Sequence, residues 1–489
     1  MARVKSEGDS VSDKVVGQVS SLTEAVRHRA RRILSQSPAL MIEGKIWGIR
    51  GDLVIATIPI ASIGQKVIIE RKAGPPAACL IVGAEGQHVF LSPFDELVGV
   101  EIGAVVRVVG HRKRASTQLL GPDCIIDALG VDLMLEQKSD QKRIVEVAPR
   151  WRLDDREEGS ASLMMTGSSV SVASDNSENL ERAPTRFETG IRSIDGLLPL
   201  AEGQRVAIVA PPGCGKTCLL LQLAEFSSHD ALVVALVGER RREIREFAAR
   251  LRQWRAEKGG SGGGAGQRTI VIAEPSDASP MRRLVAAFEA VDYAERLARE
   301  GKRVVLMIDS LTRVARAMRE VGLMRGERIV RGGYTASVYI ELPRLLERAG
   351  PQGRGVITAF YALLSHDERD IDPLKEEVLS LLDGHIVLSE SLSRRGIYPA
   401  IHPTQSLSRM ASAVETPEER QRRLVFIQGW ERLERDRDTV LLGGRPDPEL
   451  KRLLRAESSM AEFLSQSAQE RISREDGVSA LAHVLSVMG

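Results

Sequence analysis

The sequence predicts an α/β protein in which a parallel sheet flanked by helices follows a small all-β unit and precedes a helical region. Three patterns predict this class. Residues 186–410 repeat the order strand, turn, helix, which is typical of a parallel sheet with helices packed on it. Residues 41–112 alternate short β-rich runs with Gly or Pro turns, as in a small barrel or sandwich. Residues 414–489 have a helical pattern, with Gly and Pro breaks between 443 and 448.

Length and composition are those of a soluble globular protein. The chain has 489 residues, 43% hydrophobic and 27% charged, which predicts about two to four domains. The net charge is only +2, so charge alone indicates neither a nucleic acid nor a membrane as partner. The four cysteines fit neither a zinc site nor a secreted disulfide framework. The N-terminus lacks the apolar core of a signal peptide and no run is long enough to span a bilayer, which predicts a cytoplasmic protein.

The segments outside the predicted sheet differ in character. The N-terminal one is basic and amphipathic, and such a helix can contact anionic lipid or a partner, although a solvated helix face is the simpler interpretation. The Gly-rich run 258–267 follows a helix and lacks Lys-Thr, so we expect a flexible loop rather than a second phosphate site. The predicted segments are an amphipathic segment (1–40), the β-rich unit (41–112), a connector that is strand-poor to Gln137 and then polar and linker-like (113–184), the core (185–410) and the helical domain (411–489).

A phosphate-binding loop is the clearest motif. Residues 206–209 form an apolar run that predicts a buried strand, and Gly215, Lys216 and Thr217 lead directly into the helical pattern CLLLQLAEF. Backbone N–H groups at such a junction can hold phosphates, a lysine can reach the β- and γ-phosphates and a threonine hydroxyl can bind Mg²⁺. The alternative is a Gly-rich turn that happens to precede Lys-Thr. The candidate nucleotide-binding residues are Pro212, Gly213, Cys214, Gly215, Lys216, Thr217 and Cys218.

Two later strands place acids at the same edge of the predicted sheet. Ligands of open parallel sheets bind outside the carboxyl ends of the strands. One strand ends at Glu239, which can orient or deprotonate the attacking water, and Arg240 beside it can neutralise phosphate charge. Another ends at Asp309, which suits a role in holding Mg²⁺. Each acid taken alone is an ordinary strand-end residue. The predicted strands are 206–209, 232–237, 269–273, 304–308, 355–360 and 385–388.

Eight segments in the same order resemble the type III secretion ATPases of flagellar and injectisome export, relatives of the catalytic subunit of rotary ATP synthase. The resemblance runs from about residue 41 to the C-terminus. It implies a RecA-like core after an N-terminal β-barrel, and a homohexamer that hydrolyses Mg²⁺-ATP to release chaperones from export substrates and unfold them. It also implies stator and central-stalk partners at the cytoplasmic face of the inner membrane, and the C-terminal segment resembles the injectisome branch. The eight segments are TGIRSIDGLLPL, VGERRREIREF, VLMIDSLTRVARAMREVGL, LPRLLERAG, ITAFYALL, DGHIVLS, GIYPAI and SLSRM.

Two more site residues are implied by the resemblance. Tyr398 in GIYPAI resembles the aromatic residue that stacks on adenine, and Arg409 in SLSRM resembles the arginine finger that a neighbouring subunit extends toward the γ-phosphate. Core packing beside Pro399 and a surface salt bridge are the respective alternatives. A chain that carries both the hydrolytic set and a finger can act as catalyst on one side and activator on the other, which closes identical subunits into a ring.

The chain also departs from the family pattern. Residues 332–337 read GGYTAS where Gly-Tyr-Pro-Pro-Ser is usual, His402 stands where an Asp is usual, and Glu390 stands where a basic residue is common. None of these departures falls in the phosphate loop or at the two acids. We therefore expect hydrolysis to be retained.

Two other function classes fit the same core. A non-hydrolysing structural subunit of a rotary-type ATPase binds nucleotide without turnover, and Glu239 argues against it because such subunits typically lack the catalytic acid. An RNA-dependent hexameric translocase needs a basic, aromatic-rich binding face. Aromatic residues are only 4% of this chain, so we expect no nucleic acid partner.

Overall fold

The computed structural model describes residues 42–109, 123–128, 183–258, 268–365, 372–442 and 445–488. The predictions for residues 1–40, for most of 113–184 and for the Gly-rich run after 258 lie outside the described residues. Within them the chain forms a barrel, a large mixed sheet with helices on both faces, and a C-terminal group of helices. The α/β class predicted from the sequence is therefore confirmed.

The N-terminal β-rich unit is a closed six-stranded barrel, which decides between the barrel and the sandwich. The strands pair antiparallel in the order β1-β2-β5-β4-β3-β6, and β6 returns to β1. Alternate residues of each strand point inward, so Val54, Val67, Leu91 and Val106 form a core without solvent exposure. The strands are β1 (Glu43–Arg50), β2 (Leu53–Thr57), β3 (Lys66–Ile69), β4 (Ala77–Glu85), β5 (His88–Pro93) and β6 (Val105–Val108).

The central sheet has seven parallel strands with an antiparallel strand at one edge and another paired to its middle. The parallel order is β18-β10-β17-β13-β11-β12-β7, with β19 beside β18 and β16 beside β17. Its parallel strands are near-continuous apolar runs because both faces are covered by helices. They are β7 (Asp123–Ile126), β10 (Arg205–Ala210), β11 (Ala231–Glu239), β12 (Arg268–Pro275), β13 (Arg303–Asp309), β17 (Gly355–Leu364) and β18 (Gly384–Val387), and the other strands are β8 (Arg186–Phe187), β9 (Leu200–Ala201), β14 (Ile329–Arg331), β15 (Tyr334–Thr335), β16 (Gly350–Gln352) and β19 (Leu407–Ser408).

All six predicted strands of the core are present. The sheet also contains three strands that were not predicted, the short antiparallel β16 and β19 and the parallel β7. Residues 123–126 lie in the connector that the sequence analysis described as strand-poor, yet they pair with β12 at the edge of the sheet. A run of four residues after Gly121-Pro122 is too short to give a periodic signal, and its pairing partner is about 150 residues away in sequence.

Helices cover both faces of the sheet. Two helices, residues 216–226 and 241–258, pack on the face that includes Ile208, and the helices at 280–299, 311–324 and 336–347 pack on the face that includes Ala207. The core helices are α1 (Arg192–Leu197), α2 (Lys216–Phe226), α3 (Arg241–Lys258), α4 (Pro280–Arg299), α5 (Leu311–Met324), α6 (Ala336–Glu347), α7 (Pro373–Leu381), α8 (Glu390–Arg394) and α9 (Ala411–Val414).

The C-terminal domain consists of three helices around an aromatic core. Phe426, Trp430 and Phe463 are almost fully buried there. The predicted break between residues 443 and 448 separates the first two helices, but a second break, residues 465–473, was not predicted. No described helix has the length and apolar character needed to cross a bilayer. The helices are α10 (Pro417–Leu441), α11 (Pro448–Leu464) and α12 (Arg474–Met488).

A partly buried arginine attaches the barrel to the core. The guanidinium of Arg282, on α4, donates to Asp95 of the barrel (3.1 Å), to Asp127 (2.6 Å) and to Glu274 at the end of β12 (3.0 Å). Glu274 has no solvent exposure and also accepts the backbone N–H of Ala128 at 2.8 Å. Three nitrogens of one side chain thus join three segments that are far apart in sequence. We call Arg282, Asp95, Asp127 and Glu274 the barrel cluster.

Candidate active site

The phosphate loop joins the end of β10 to the start of α2. Gly213 and Gly215 both have positive φ, 84° and 86°, in the left-handed region that side-chain-bearing residues rarely adopt. Gly215 is the N-cap of α2, so the first N–H groups of this helix have no partner within the helix and face the loop. A loop of this shape presents several N–H groups and the positive end of the helix dipole to one anion.

Lys216 meets both predicted acids at the carboxyl edge of the sheet. Its Nζ donates to Asp309 Oδ1 and lies 3.3 Å from Glu239 Oε1. The register pairs Asp309 of β13 with Leu236 of β11, which brings the two strand ends side by side. Asp309 is 2% exposed and Glu239 is 6% exposed. The structure therefore brings together the lysine and the two carboxylates that the sequence analysis selected.

The two carboxyl groups have opposite pKa shifts. Burial raises the pKa of Asp309 above its usual range, and the Lys216 ammonium offsets this only in part. Burial also acts to raise the pKa of Glu239, but the hydrogen bond with Glu243 and the charges of Lys216 and Arg313 outweigh it and hold the pKa below its usual range. Glu239 is consequently ionised at neutral pH, as a residue that accepts a proton or orients water must be.

Arg313 is a member of this site that sequence reasoning missed. Its Nη2 lies 3.4 Å from Glu239 Oε2, whereas Lys216 lies nearest to Oε1, and its Nε is buried without a hydrogen-bond partner among the described residues. Gly238 has a φ of 70°, and a Cβ there would lie 2.7 Å from Arg313 Cδ. Only a glycine at this position leaves room for the Arg313 side chain beside the end of β11. The available signal was its position four residues after Asp309, one turn into the helix that starts at the site. We call Lys216, Glu239, Asp309 and Arg313 the site cluster.

The other candidates of the loop differ in exposure. Pro212, Gly213, Thr217 and Cys218 are exposed at the mouth of the site, whereas Cys214 is buried beneath the loop. Arg240 is not part of the site cluster. Its side chain is 83% exposed, and its Nε lies 3.9 Å from Glu243 Oε1.

Tyr398 lies directly against the phosphate loop. A Cβ placed on Gly215 would be 3.6 Å from Tyr398 Cδ1, so the ring borders the N-terminus of α2. The ring is 44% exposed, and its hydroxyl is 2.8 Å from Ser393 Oγ. An exposed aromatic ring beside a phosphate loop has a free surface on which a planar base can stack.

Arg409 lies at the opposite edge of the sheet from the loop. Ser408 pairs with Gly384, the first residue of β18, which pairs in turn with Val206 near the start of β10. The loop follows Ala210, and at roughly 3.3 Å per residue the two positions are separated by roughly 13 Å along the strand. Arg409 is exposed. Its Nη1 lies 3.5 Å from the carbonyl oxygen of Ser380, at the end of α7, and the described contacts of its side chain do not include the phosphate loop of its own chain.

The three departures from the family pattern lie outside the site cluster. His402 is buried, with Nδ1 3.1 Å from Thr404 Oγ1 and Nε2 3.5 Å from Glu434 Oε1 on α10. Glu390 pairs with Arg394 on the same short helix at 2.5 Å. Residues 332–337 form the turn and the second strand of the β14–β15 hairpin and the start of α6.

The residues at the loop fit a nucleotide-bound magnesium ion. The described residues contain no group of three or more His, Cys, Asp or Glu side chains arranged for a metal. A magnesium ion that arrives with a nucleotide needs only one or two protein oxygens, since phosphates and water supply the rest. The exposed Thr217 hydroxyl and the Asp309 carboxylate are oxygen donors of the kind that Mg²⁺ prefers.

Comparison with known proteins agrees with this geometry. Residues 190–408 match the nucleotide-binding domain of the ATP synthase alpha/beta family. The type 3 secretion system ATPase of Pseudomonas syringae pv. tomato is 38% identical over 391 residues, 79% of this chain and 80% of that protein. The flagellum-specific ATP synthase of Treponema pallidum is 33% identical over 92% of this chain and 94% of that protein.

A solved structure extends the similarity to the whole architecture. The assembled ATPase EscN from the type III secretion system of enteropathogenic E. coli has a TM-score of 0.73 and 31% identity, covering 90% of this chain and 100% of that one. The phosphate loop, the acids at the strand ends and the barrel–core–helix order thus occur together with similarity over most of the sequence. The chain belongs to the family of type III secretion and flagellar export ATPases.

Proposed function

We propose that this ATPase works as a homohexameric ring that uses Mg²⁺-ATP to release export substrates from their chaperones and to unfold them. The observation that carries the hydrolytic part of the proposal is the bridge from Lys216 to Asp309 and Glu239 at the mouth of the phosphate loop. An anion that enters the loop competes with the two carboxylates for the lysine. Nucleotide binding therefore frees Glu239 to act on water.

Each residue has a proposed role in hydrolysis. The loop N–H groups and Lys216 hold the triphosphate, and Tyr398 stacks on the adenine. Glu239 orients the attacking water and accepts its proton as the bond between the γ-phosphorus and its bridging oxygen breaks. Thr217 and Asp309 would hold Mg²⁺, which neutralises phosphate charge when bound. Arg313 and Arg240 are the arginines of the same subunit that stabilise charge on the transferred phosphoryl group.

The ring is proposed from the position of Arg409. An exposed arginine at the far edge of the sheet can serve only the site of a neighbour, and a head-to-tail contact of that kind closes into a ring. EscN was solved in an assembled form and in complex with its central stalk EscO, which supports self-assembly and a stalk partner for this chain. We place the ring at the cytoplasmic face of the inner membrane with stator and stalk components, because export ATPases serve a membrane-bound apparatus.

The hydrolytic roles are tested with two variants of the purified, assembled chain. Lys216→Ala is expected to lose ATP binding and turnover together. Glu239→Gln is expected to bind a fluorescent ATP analogue normally while phosphate release falls about 10²–10⁴-fold. Glu246→Gln, an exposed acid paired with Arg242 on α3, is the matched control. Phosphate release at the wild-type rate by either variant contradicts the assignment, and ATP binding without turnover by the assembled wild type favours the non-hydrolysing subunit.

The proposal that Arg409 acts at the nucleotide site of a neighbouring subunit is tested by mixing two inactive variants. Arg409→Ala and Lys216→Ala are each expected to abolish turnover in the ring. When the two are assembled together at equal amounts, about one site in four combines an intact lysine with an intact neighbouring arginine, so activity returns in part. A mixture that stays inactive although mixed rings form shows that the finger and the lysine do not share a site.

The export role is tested with a chaperone–substrate complex from the same organism. ATP is expected to release the substrate in the presence of the wild type but not of Glu239→Gln. Equal release by both proteins contradicts coupling to hydrolysis. Stimulation of turnover by RNA but not by the chaperone complex favours the translocase alternative.

A further inference from the structure

The unpredicted break in the C-terminal domain contacts the nucleotide site. Residues 465–473 connect α11 to α12, and within this segment Gln466 is buried and contacts Tyr398. The backbone N–H of Gln466 donates to the carbonyl oxygen of Tyr398 at 2.7 Å. The ring that borders the phosphate loop is thus held at its backbone by a residue of a different domain.

The side chain of Gln466 fixes this contact. It is 7% exposed, and its Nε2 donates to the carbonyl oxygens of Gly190 (2.9 Å) and Glu470 (2.7 Å). Its Oε1 accepts the backbone N–H of Arg192 at 2.7 Å. These three bonds use both amide hydrogens and the amide oxygen, so the side chain has one orientation that satisfies the buried groups around it.

Neighbouring contacts tie the same segment to the phosphate-loop helix. Gln222, on α2, donates from Nε2 to the carbonyl oxygen of Ser467 at 3.3 Å. The Arg192 side chain donates to the carbonyl oxygens of Phe463 (2.9 Å) and Glu462 (2.8 Å), at the C-terminal end of α11. The end of α11, the loop helix and Tyr398 consequently meet around one buried amide.

We propose that Gln466 is a positioning residue for nucleotide-base recognition, acting through Tyr398. This rests on the proposed stacking of adenine on Tyr398 and extends it: the C-terminal domain sets where the stacking ring stands relative to Gly215. Loss of the amide removes a partner from the Glu470 carbonyl and the Arg192 N–H, while the Gly190 carbonyl keeps only the N–H of Ile472, and the segment shifts. The Tyr398 backbone moves with it, and the base loses its stacking partner while the phosphate contacts remain.

The test separates base from phosphate binding in the full-length, assembled chain. Gln466→Ala is expected to raise the KM for ATP about tenfold, within the range that base–aromatic stacking supplies, with kcat nearly unchanged. Inhibition by inorganic tripolyphosphate, which has no base, is expected to stay at the wild-type level. Gln466→Glu keeps the acceptor for Arg192 but loses both donors. We expect it also to have a raised KM for ATP with kcat and tripolyphosphate inhibition nearly unchanged. Gln469→Ala, an exposed glutamine of the same segment, is the matched control and should retain the wild-type KM.

Each other outcome has a defined meaning. A wild-type KM in Gln466→Ala, or equal weakening of ATP and tripolyphosphate, overturns the positioning role. Combining Gln466→Ala with Tyr398→Ala should add little to the KM of Tyr398→Ala alone, and fully additive effects overturn action through the ring. If wild-type chain binds ATP no more tightly than tripolyphosphate, the stacking proposal and this inference both fail. If it discriminates the base but does not hydrolyse ATP, only the proposed hydrolytic function fails.

Discussion

The site cluster and the barrel cluster both join basic side chains to carboxylates, yet only the site cluster has cations to spare for a further anion. In the barrel cluster, the Arg282 guanidinium is engaged by three carboxylates and Glu274 is fully enclosed. In the site cluster, two cations face two carboxylates beside exposed loop residues, and Arg313 Nε has no hydrogen-bond partner within the part of the chain that the structure describes. A cluster whose cations are fully used by acids holds segments together, whereas one with spare donor capacity at a phosphate loop is suited to chemistry.

The largest expected effect comes from breaking the barrel cluster. Arg282→Ala leaves three acids near one another without their common cation, and removing one partner of a buried ion pair costs about 3–5 kcal/mol. We expect a marked fall in the free energy of unfolding, measured by denaturant titration, with kcat per folded chain unchanged. Arg241→Ala is the control, because it removes a surface pair with Asp277 that is worth at most about 1 kcal/mol. Equal stability of the two variants contradicts the structural role of the barrel cluster.

A change in the site cluster should lower kcat and leave the free energy of unfolding nearly unchanged, the opposite of the effect expected for the barrel cluster. Arg313→Ala is expected to lower kcat about 10²–10³-fold, the cost of removing one preorganised donor to a developing charge, with little change in the free energy of unfolding. Arg313→Lys should recover part of the rate because it keeps the positive charge near Glu239. Steady-state phosphate release measures the fall in kcat, and denaturant titration of the same preparations measures the free energy of unfolding. A kcat near the wild-type value in Arg313→Ala would place this residue with the structural ion pairs.

Sequence reasoning found the parts of the site that lie at the ends of strong strand signals. Lys216, Glu239 and Asp309 each adjoin a long apolar run, and parallel strands bring their carboxyl ends to one edge of the sheet. Arg313 was missed because the position of its side chain depends on the orientation of α5 relative to the end of β13, which the sequence pattern does not give. Gln466 was missed because Ser and Gln do not mark a helix end as Gly or Pro do.

The barrel cluster, like Arg313 and Gln466, could not be predicted from the sequence. Asp95, Asp127, Glu274 and Arg282 are spread over almost 190 residues, and no local pattern predicts that they meet. Strand β7, which carries the chain toward Asp127, was also not predicted. The β-rich unit, as a barrel or a sandwich, and the parallel sheet follow from local periodicity, but the contact between them depends on tertiary packing that one sequence does not encode locally.

The smallest expected effect concerns the pH dependence of the barrel cluster. Burial raises the pKa of Glu274 from 4.5 to about 7, although Arg282 acts to lower it. A carboxyl whose pKa is raised on folding contributes stability that is fully present below pH 4.5 and is lost as the pH rises through about 7. Glu274→Gln removes this titration. Between pH 5 and pH 8 the wild type should lose on the order of 1–3 kcal/mol more unfolding free energy than Glu274→Gln. We therefore expect the Tm of the variant to fall less than that of the wild type over this range.

The comparison of slopes isolates this one group. Other buried acids, such as Glu289 with a pKa raised to about 8 by burial, titrate in both proteins and cancel in the difference. Glu239 gives the contrast, because its pKa is held below the usual range and it stays charged throughout. Glu239→Gln should leave the slope of Tm against pH between 5 and 8 unchanged. Parallel slopes for wild type and Glu274→Gln would mean that Glu274 is already ionised across this range, and that Arg282 outweighs its burial.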